Sequence, residues 1–251
     1  MKLSVLGCHG GELPSCRTTC FLLDDVLALD AGALCSTLSL EALLRLDNIV
    51  VSHSHFDHVK DLPLLADLLV GRRDTPVTIW ASRECSKTLR DNMFNNALWP
   101  DFTRIPSKRK PVLRIKTFRA GARFVVGEYT LQSIPVSHPV ESCGFVITRG
   151  GTSLGMSGDT GPTEQLWKVF NQTPNLKAVL LETSFPNALQ ELADVSGHLT
   201  PQTLTSELKK FERNGTSVLL YHLKPAYVAE LKQELKSLPV TVLELGDTFE
   251  L

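Results

Sequence analysis

The chain is poor in the features that would place it outside the cell or in a membrane. Its 251 residues hold six cysteines (Cys8, Cys16, Cys20, Cys35, Cys85 and Cys143), with no CxxC pair and none of the dense, even spacing of a secreted disulfide framework. They read as small core hydrophobes in a reducing compartment. No apolar run approaches the ~20 residues of a membrane span. Cys8 follows Val5-Leu6-Gly7, but too few apolar residues separate it from Lys2 to form the core of a lipoprotein signal. The expectation is a cytoplasmic protein with no membrane partner. Internal repeats, low-complexity stretches and convincing linkers are also missing, so residues 1–251 read as a single domain. The net charge is −1, which gives no overall field pointing to nucleic acid or an anionic surface. The basic residues are unevenly spread. Between Arg104 and Arg123 stand eight basic residues and no Asp or Glu, either a solvated strand face and loop or a means of steering an anionic substrate.

Hydrophobic residues make up 43% of the chain, enough for a sizeable core. Short runs rich in β-branched residues predict strands at 2–6, 19–23, 26–28, 49–52, 77–80, 112–117, 123–126, 130–136, 145–148, 153–156, 178–182 and 217–221. Helical patterns cover 38–45, 58–70, 83–92, 164–170, 201–212 and 227–238. Strands come first in antiparallel-looking groups and helices are interspersed later, which suits a layered α+β arrangement.

Of seven histidines, three fall within His53-Ser54-His55-Phe56-Asp57-His58, just after an apolar strand. In extended backbone, positions i and i+2 share a face, so His53 and His55 can reach one metal. Asp57 and His58, where a helix begins, turn toward another. Nitrogen and carboxylate donors suit zinc, with manganese and iron also compatible. Chance clustering of these residue types in this order is improbable.

His-x-His-x-Asp-His after a hydrophobic strand resembles the signature of the metallo-β-lactamase superfamily. The resemblance implies a four-layer αββα sandwich with two divalent metal ions at the edge between its sheets. It also implies further ligands: His138 in Ile134-Pro135-Val136-Ser137-His138, Asp159 in Met156-Ser157-Gly158-Asp159, and His222 in Leu219-Leu220-Tyr221-His222. One metal would take His53, His55 and His138, the other Asp57, His58 and His222, with Asp159 bridging. Asp at 159, rather than Cys, departs from the β-lactamases themselves; His at 55, rather than Glu, departs from the redox di-iron branch. Glu182-Thr183-Ser184-Phe185-Pro186-Asn187 and Ser196-Gly197-His198-Leu199-Thr200-Pro201 are most similar to the bacterial class II cyclic-nucleotide phosphodiesterases. So are Phe94-Asn95, Trp99-Pro100-Asp101-Phe102 and His222-Leu223-Lys224-Pro225, and the amino-terminal Gly7-Cys8-His9-Gly10-Gly11, in which His9 replaces an expected small residue.

The resemblance implies hydrolysis of a small 3',5'-cyclic nucleotide. A metal pair would lower the pKa of a bridging water and clamp the phosphoryl oxygens. The opening of the helix after His58 would turn backbone N–H groups toward the phosphate. His198 is surplus to the ligand set and becomes the candidate general acid for the leaving 3'-oxygen. Glu182 would orient it or support a ligand. Asp57, a ligand, completes the catalytic set, and Thr200 before Pro201 is a helix cap. Phe94, Asn95 and Trp99, with Phe102, would form a lip stacking on the base or closing a homodimer neighbour over it, unless their rings simply pack on the core. Two rivals remain. A tRNA 3'-processing endonuclease shares the chemistry, but a long Gly/Pro-rich tRNA-gripping arm is missing and nucleic acid is a disfavoured partner. A non-catalytic metal-binding sensor would not need His198.

Overall fold

Alternation along the strands decides which face each residue buries. In the strand Leu176–Glu182, Ala178 and Leu180 face one way and Val179 and Leu181 the other, and all four are buried. The structure, a computed structural model, describes residues 1–251. Its strands are, in chain order, β1 (Lys2–Gly7), β2 (Cys20–Leu23), β3 (Leu27–Leu29), β4 (Asn48–Val50), β5 (Val77–Ala81), β6 (Leu113–Thr117), β7 (Arg123–Val126), β8 (Tyr129–Pro135), β9 (Cys143–Arg149), β10 (Thr152–Met156), β11 (Leu176–Glu182), β12 (Ser217–Tyr221), β13 (Thr241–Val242) and β14 (Thr248–Glu250). They form two seven-stranded sheets, ordered β14-β1-β2-β3-β4-β5-β6 and β13-β12-β11-β10-β9-β8-β7.

Three apolar layers hold these sheets and their helices together. The central layer lies between the sheets and joins Leu3, Phe21, Leu27 and Leu29 of the first to Leu131, Phe145, Leu180 and Tyr221 of the second. The outer face of the first sheet, with Leu22, Ala28 and Ile79, packs on Leu62, Leu65, Ala66 and Leu69 of the helix Asp61–Leu69. The outer face of the second, with Val146, Val179 and Leu181, packs on Trp167, Phe170, Leu204 and Leu231 from three further helices. Helices therefore flank both sheets, and the architecture is the αββα sandwich of mixed sheets.

The strands are less antiparallel than the sequence pattern suggests. From β3 to β6 every neighbouring pair is parallel, as are the pairs from β10 to β13. Parallel neighbours need a crossover, and the helices between them supply it. Two short edge strands, β13 and β14, escape sequence reading because two or three residues cannot show a period. The pattern at 58–70 is two helices, Phe56–Val59 and Asp61–Leu69, meeting at Lys60. The pattern at 201–212 ends at Leu208. The helix Gln190–Ser196 was not foreseen: it leaves Leu192 and Val195 exposed and buries only Ala193, so it has no apolar stripe to read.

The topology sends the strand ends that matter to one edge. β10, β11 and β12 are mutually parallel, and β8 shares their direction because both β8 and β10 run antiparallel to β9. The carboxyl ends of these four strands lead to His138, Asp159, Glu182 and His222. The carboxyl ends of β3 and β4 in the first sheet lead to Asp30 and His53. The turn after β3 fits tightly under the second of these segments. Ala31 N–H donates to the His58 carbonyl at 2.7 Å and Gly32 N–H to the Thr19 carbonyl at 3.0 Å. A methyl group at Gly32 would overlap the Asp57 carbonyl oxygen and crowd the Thr19 carbonyl and the Thr18 hydroxyl. Gly32→Ala is accordingly expected to cost about 1–3 kcal/mol through overpacking. At roughly 2–4 °C per kcal/mol this appears as a lowered melting temperature in calorimetry. An unchanged Tm would show that the turn yields freely.

Candidate metal centre

The His53–His58 segment leaves β4 in extended form and enters a single helical turn, with His55 as the residue before it. His53 and His55 therefore sit side by side, ring centroids 4.7 Å apart, while Asp57 and His58 lie within the turn. The helix thus begins two residues earlier than expected. One turn ahead of Lys60 carries too little dipole to serve as the phosphate cradle that the sequence suggested.

Strand ends from the other sheet close over this segment. The ligand atoms of His53, His55 and His138 lie within 4.8 Å of one another, as do those of Asp57, His58 and His222, and those of His53, His58 and Asp159. Asp159 Oδ2 is 3.1 Å from both His58 Nε2 and His222 Nε2 and 3.7 Å from His53 Nε2. All seven residues expected as ligands are thus in one cluster, with Asp159 between its halves. His198 joins its margin, 5.1 Å from the His138 ring and 5.2 Å from that of His222. His9 does not; its ring approaches the Cys8 thiol at 3.7 Å.

Buried hydrogen bonds fix which nitrogen each imidazole turns inward. Ser52 Oγ donates to Asp30 Oδ2 at 2.9 Å, so it can only accept from His53 Nδ1, 3.0 Å away. His58 Nδ1 donates to the same carboxylate oxygen at 2.7 Å. Across the cluster, Ser184 Oγ donates to Glu182 Oε2 at 3.0 Å and accepts from His222 Nδ1 at 2.9 Å. His198 Nδ1 donates to Glu182 Oε1 at 2.9 Å, and His138 Nδ1 to the Gly197 carbonyl at 3.0 Å. Each of these five rings therefore has Nδ1 engaged with the protein and turns Nε2 toward the centre, where it is a lone-pair ligand whenever it is deprotonated. Gly197 is in the left-handed region (φ 68°), ending the helix Gln190–Ser196 so that one turn supplies both the carbonyl for His138 and the imidazole of His198. Beyond it Thr200 caps the next helix, its side chain accepting from Thr203 N–H with Pro201 in the first turn.

The electrostatics suit a cation. Burial holds His53 well below the usual histidine range and also depresses His55 and His138, leaving them neutral donors of lone pairs. Burial would lower His58 too, but Asp159 and Asp30 on either side hold it well above that range. Burial would raise Asp159, and the neighbouring His222 and His58 outweigh it, so the carboxylate is strongly favoured. Asp57 is likewise held down against burial, chiefly by its hydrogen bond from His222. Imidazole nitrogens crowd together here: His138 Nε2 lies 3.1 Å from His55 Nδ1, and His58 Nε2 lies 3.4 Å from His222 Nε2. His53 Nε2 and Asp159 Oδ1 are buried with no partner. Orphaned donor atoms pointing at common centres are what a metal would satisfy, so the residues fit the group.

The Phe94–Phe102 segment corrects the expected lip. Phe94 and Phe102 are buried, 3% and 4% exposed, in the layer beneath the first sheet, and Trp99 packs against it. Phe94 therefore has no open ring face for a base. Asn95 is exposed, but its amide donates to the Asp91 carbonyl and its oxygen accepts from Ala97 and Leu98 N–H, which forms a turn rather than a reader. Aromatic residues in a polar run resemble a lip and a core anchor equally well in sequence. Asp30, Ser52 and Ser184 went unrecognised, although Asp30 had a visible signal: an acid directly after the apolar strand Leu27–Leu29. Asp30→Asn should weaken metal binding by roughly 10–100-fold, the usual effect of altering a ligand's outer partner. Titration against a competing chelator measures it; unchanged affinity would show that His58 needs no orienting carboxylate.

A family model described as the beta-lactamase superfamily domain matches residues 22–223. A probable 3',5'-cyclic-nucleotide phosphodiesterase of Yersinia pestis is 28% identical over 227 residues, covering 80% of this chain, which itself spans 63% of that relative's length. Ribonuclease BN of Cronobacter sakazakii is 21% identical, covering 76% of this chain and 75% of its own. Among solved structures, unliganded yeast PDE1 superposes with a TM-score of 0.83 at 19% identity, covering 100% of this chain and 99% of that one. The metallo-beta-lactamase fold protein YhfI from Bacillus subtilis gives 0.79 at 20%, covering 99% of each. No helix is long and apolar enough to cross a membrane. With the matched residues containing every member of the metal cluster, the chain belongs to the beta-lactamase superfamily and has the fold of its metal-dependent hydrolases.

Proposed function

We propose that this protein is a dinuclear metal-dependent phosphodiesterase that hydrolyses 3',5'-cyclic nucleotides to 5'-nucleotides. The observation that carries the reading is the placing of Asp159: its carboxylate stands between His53, with His55 and His138 beyond, and the pair His58 and His222, with Asp57 beyond. Such a set would hold two divalent ions, zinc by donor type, with Asp159 shared. When bound, the ions would supply Lewis acidity toward the phosphoryl oxygens and acidify a water between them.

The protein's own groups provide the rest. His198 is hydrogen-bonded through Nδ1 to Glu182, and its Nε2 makes no hydrogen bond to the protein. Burial alone would depress this imidazole, but Glu182 outweighs burial and raises it above the ordinary range, favouring the protonated donor. In our reading His198 Nε2 delivers its proton to the departing 3'-oxygen, and Glu182 holds the ring and stabilises its charge. Glu182 also accepts from Thr160 N–H at 3.2 Å, tying the acid to the loop that carries Asp159.

Cyclic-nucleotide specificity is supported by the similarity to the probable 3',5'-cyclic-nucleotide phosphodiesterase of Yersinia pestis and by the motifs around Glu182 and His198. A tRNA 3'-end endonuclease is the second reading, supported by the similarity to Ribonuclease BN and by the exposed Lys108, Arg109 and Lys110. The rest of the basic segment is partly committed: Arg104 pairs with Asp101, Lys116 lies over Trp80, and Arg123 bonds Gln132. Parallel assays of cyclic AMP, cyclic GMP and a 3'-extended tRNA precursor should show turnover of the first two alone. Cleavage of the precursor without cyclic-nucleotide turnover would overturn the assignment. Chelation should abolish activity, with zinc or manganese restoring it; full activity of metal-free protein would refute the metal reading. His198→Ala should keep its metal and lose roughly 10²–10⁴-fold in kcat on cyclic AMP. It should lose far less on a nitrophenyl ester, whose leaving group needs no proton. Equal losses on both substrates would remove His198 from the general-acid role.

A further inference from the structure

A nucleotide has an anionic end and a flat apolar end joined by a ribose. The polar cluster can serve only the first, so a flat apolar surface is required within a ribose's reach of His198. The Phe94–Trp99 segment is the poorer candidate, since Phe94 is buried, Trp99 packs on the core with its indole N–H enclosed, and the Asn95 amide is committed to its own turn. On the other side of His198, across the Phe185 ring, lies an apolar cleft. We propose that the cleft between Leu13, Phe185, Pro225 and Tyr227 seats the nucleobase of the substrate. This rests on the phosphodiesterase reading above and names the recognition element which that reading leaves open.

The cleft is an open cavity of about 400 Å³, walled mainly by Leu13, Phe185, Pro225 and Tyr227, with Glu12 and Lys224 at its polar margin. Its walls are continuous with the machinery. Phe185 follows Ser184, the hydroxyl between Glu182 and His222, and its ring meets His198 edge-on at 5.8 Å. Leu223, Lys224 and Pro225 follow His222 directly, and Lys224 N–H donates to the Ser184 carbonyl at 3.2 Å. The backbone at Gly10 lies so close to His222 that a methyl group there would meet its ring at 2.7 Å, and Gly11 faces Pro225. The cleft is thus placed one aromatic ring from the proposed acid.

Its parts divide the task. Lys224 Nζ lies 5.9 Å over the Phe185 ring and donates to the Gly10 carbonyl at 2.9 Å, so one face of Phe185 is occupied and the ring acts as the inner wall. Tyr227, 6.3 Å from Phe185 and only half-buried, has ring surface left for stacking. Leu13, 50% exposed, is an apolar side chain placed where a base would cover it. Glu12 is held at the rim by Lys60 at 3.0 Å, an acceptor for an exocyclic amine.

The test compares a ligand that has a base with one that lacks it. Calorimetric titration of the metal-loaded protein with 5'-AMP and with ribose 5-phosphate should show AMP binding tighter by roughly tenfold, the worth of a stacked base. Tyr227→Ala should reduce the AMP to ribose 5-phosphate affinity ratio by about tenfold, Tyr227→Phe should retain it, and Leu13→Ala should reduce it by roughly two- to threefold. Equal affinity of the wild type for the two ligands, or an unchanged ratio in Tyr227→Ala, overturns the base seat. So does a parallel loss of both affinities with a lowered Tm, which makes Tyr227 structural. If cyclic AMP is still turned over in those cases, the phosphodiesterase reading survives; absence of turnover on every phosphodiester, with metal bound, defeats that reading instead.

Discussion

Asp30 and Glu182 are buried carboxylates that each orient two imidazoles, one directly and one through a serine. Asp30 receives His58 and, through Ser52, holds His53; Glu182 receives His198 and, through Ser184, holds His222. The direct partner and the relayed one differ only in the hydroxyl between them. In each case Nδ1 is the donor, so every Nε2 is free to face the centre. An imidazole with the opposite tautomer would place an N–H where a metal needs a lone pair, so it could not serve as a ligand through that atom. The donor geometry is therefore set one layer out from the donors themselves, and the two carboxylates stand at the ends of strands in different sheets.

Those strands account for the precision. Asp30 follows β3 and Ser52 follows β4, neighbouring parallel strands whose register places Leu29 beside Val50. Glu182 closes β11 beside Tyr221 of β12, so His222 is the next residue along. Parallel pairing with matched register brings consecutive strand ends to one edge. The apolar layer between the sheets, where Phe21 meets Tyr221 edge-on at 5.3 Å, then fixes the distance between the halves. Hydrophobic burial supplies the energy for docking, and the polar groups at the rim decide what the docked edge can hold.

Much of this was legible in the sequence because of spacing and chemistry. His53, His55, Asp57 and His58 are close in the chain, and no ordinary core needs that combination. His138, Asp159 and His222 are far apart, and they became readable only by likeness to a known motif; a lone His at a strand end carries no sign of its partners. The strands of the two central layers were found because alternation or continuous burial leaves a pattern. The helix Gln190–Ser196 and the strands β13 and β14 leave none. Asp30, Ser52 and Ser184 were opaque for a different reason. A buried acid or serine is identified by what it touches, and the contacts from Asp30 to His58 and from Ser184 to His198 and His222 join residues far apart in sequence. The Phe94–Phe102 segment misled because burial, not composition, separates an anchor from a recognition surface.

The division of the centre between two sheets makes it a clasp. Neither half carries a complete donor set: His53, His55, Asp57 and His58 come from one sheet's connections, His138, Asp159 and His222 from the other's. An ion is held by more donors at the assembled edge than by the His53–His58 segment left alone when the sheets part, so the difference in affinity opposes their separation. Conversely, the loaded protein should open first at its periphery, in outlying strands such as β6 and β7, while the strand ends under the clasp remain the last to exchange their amide hydrogens with water.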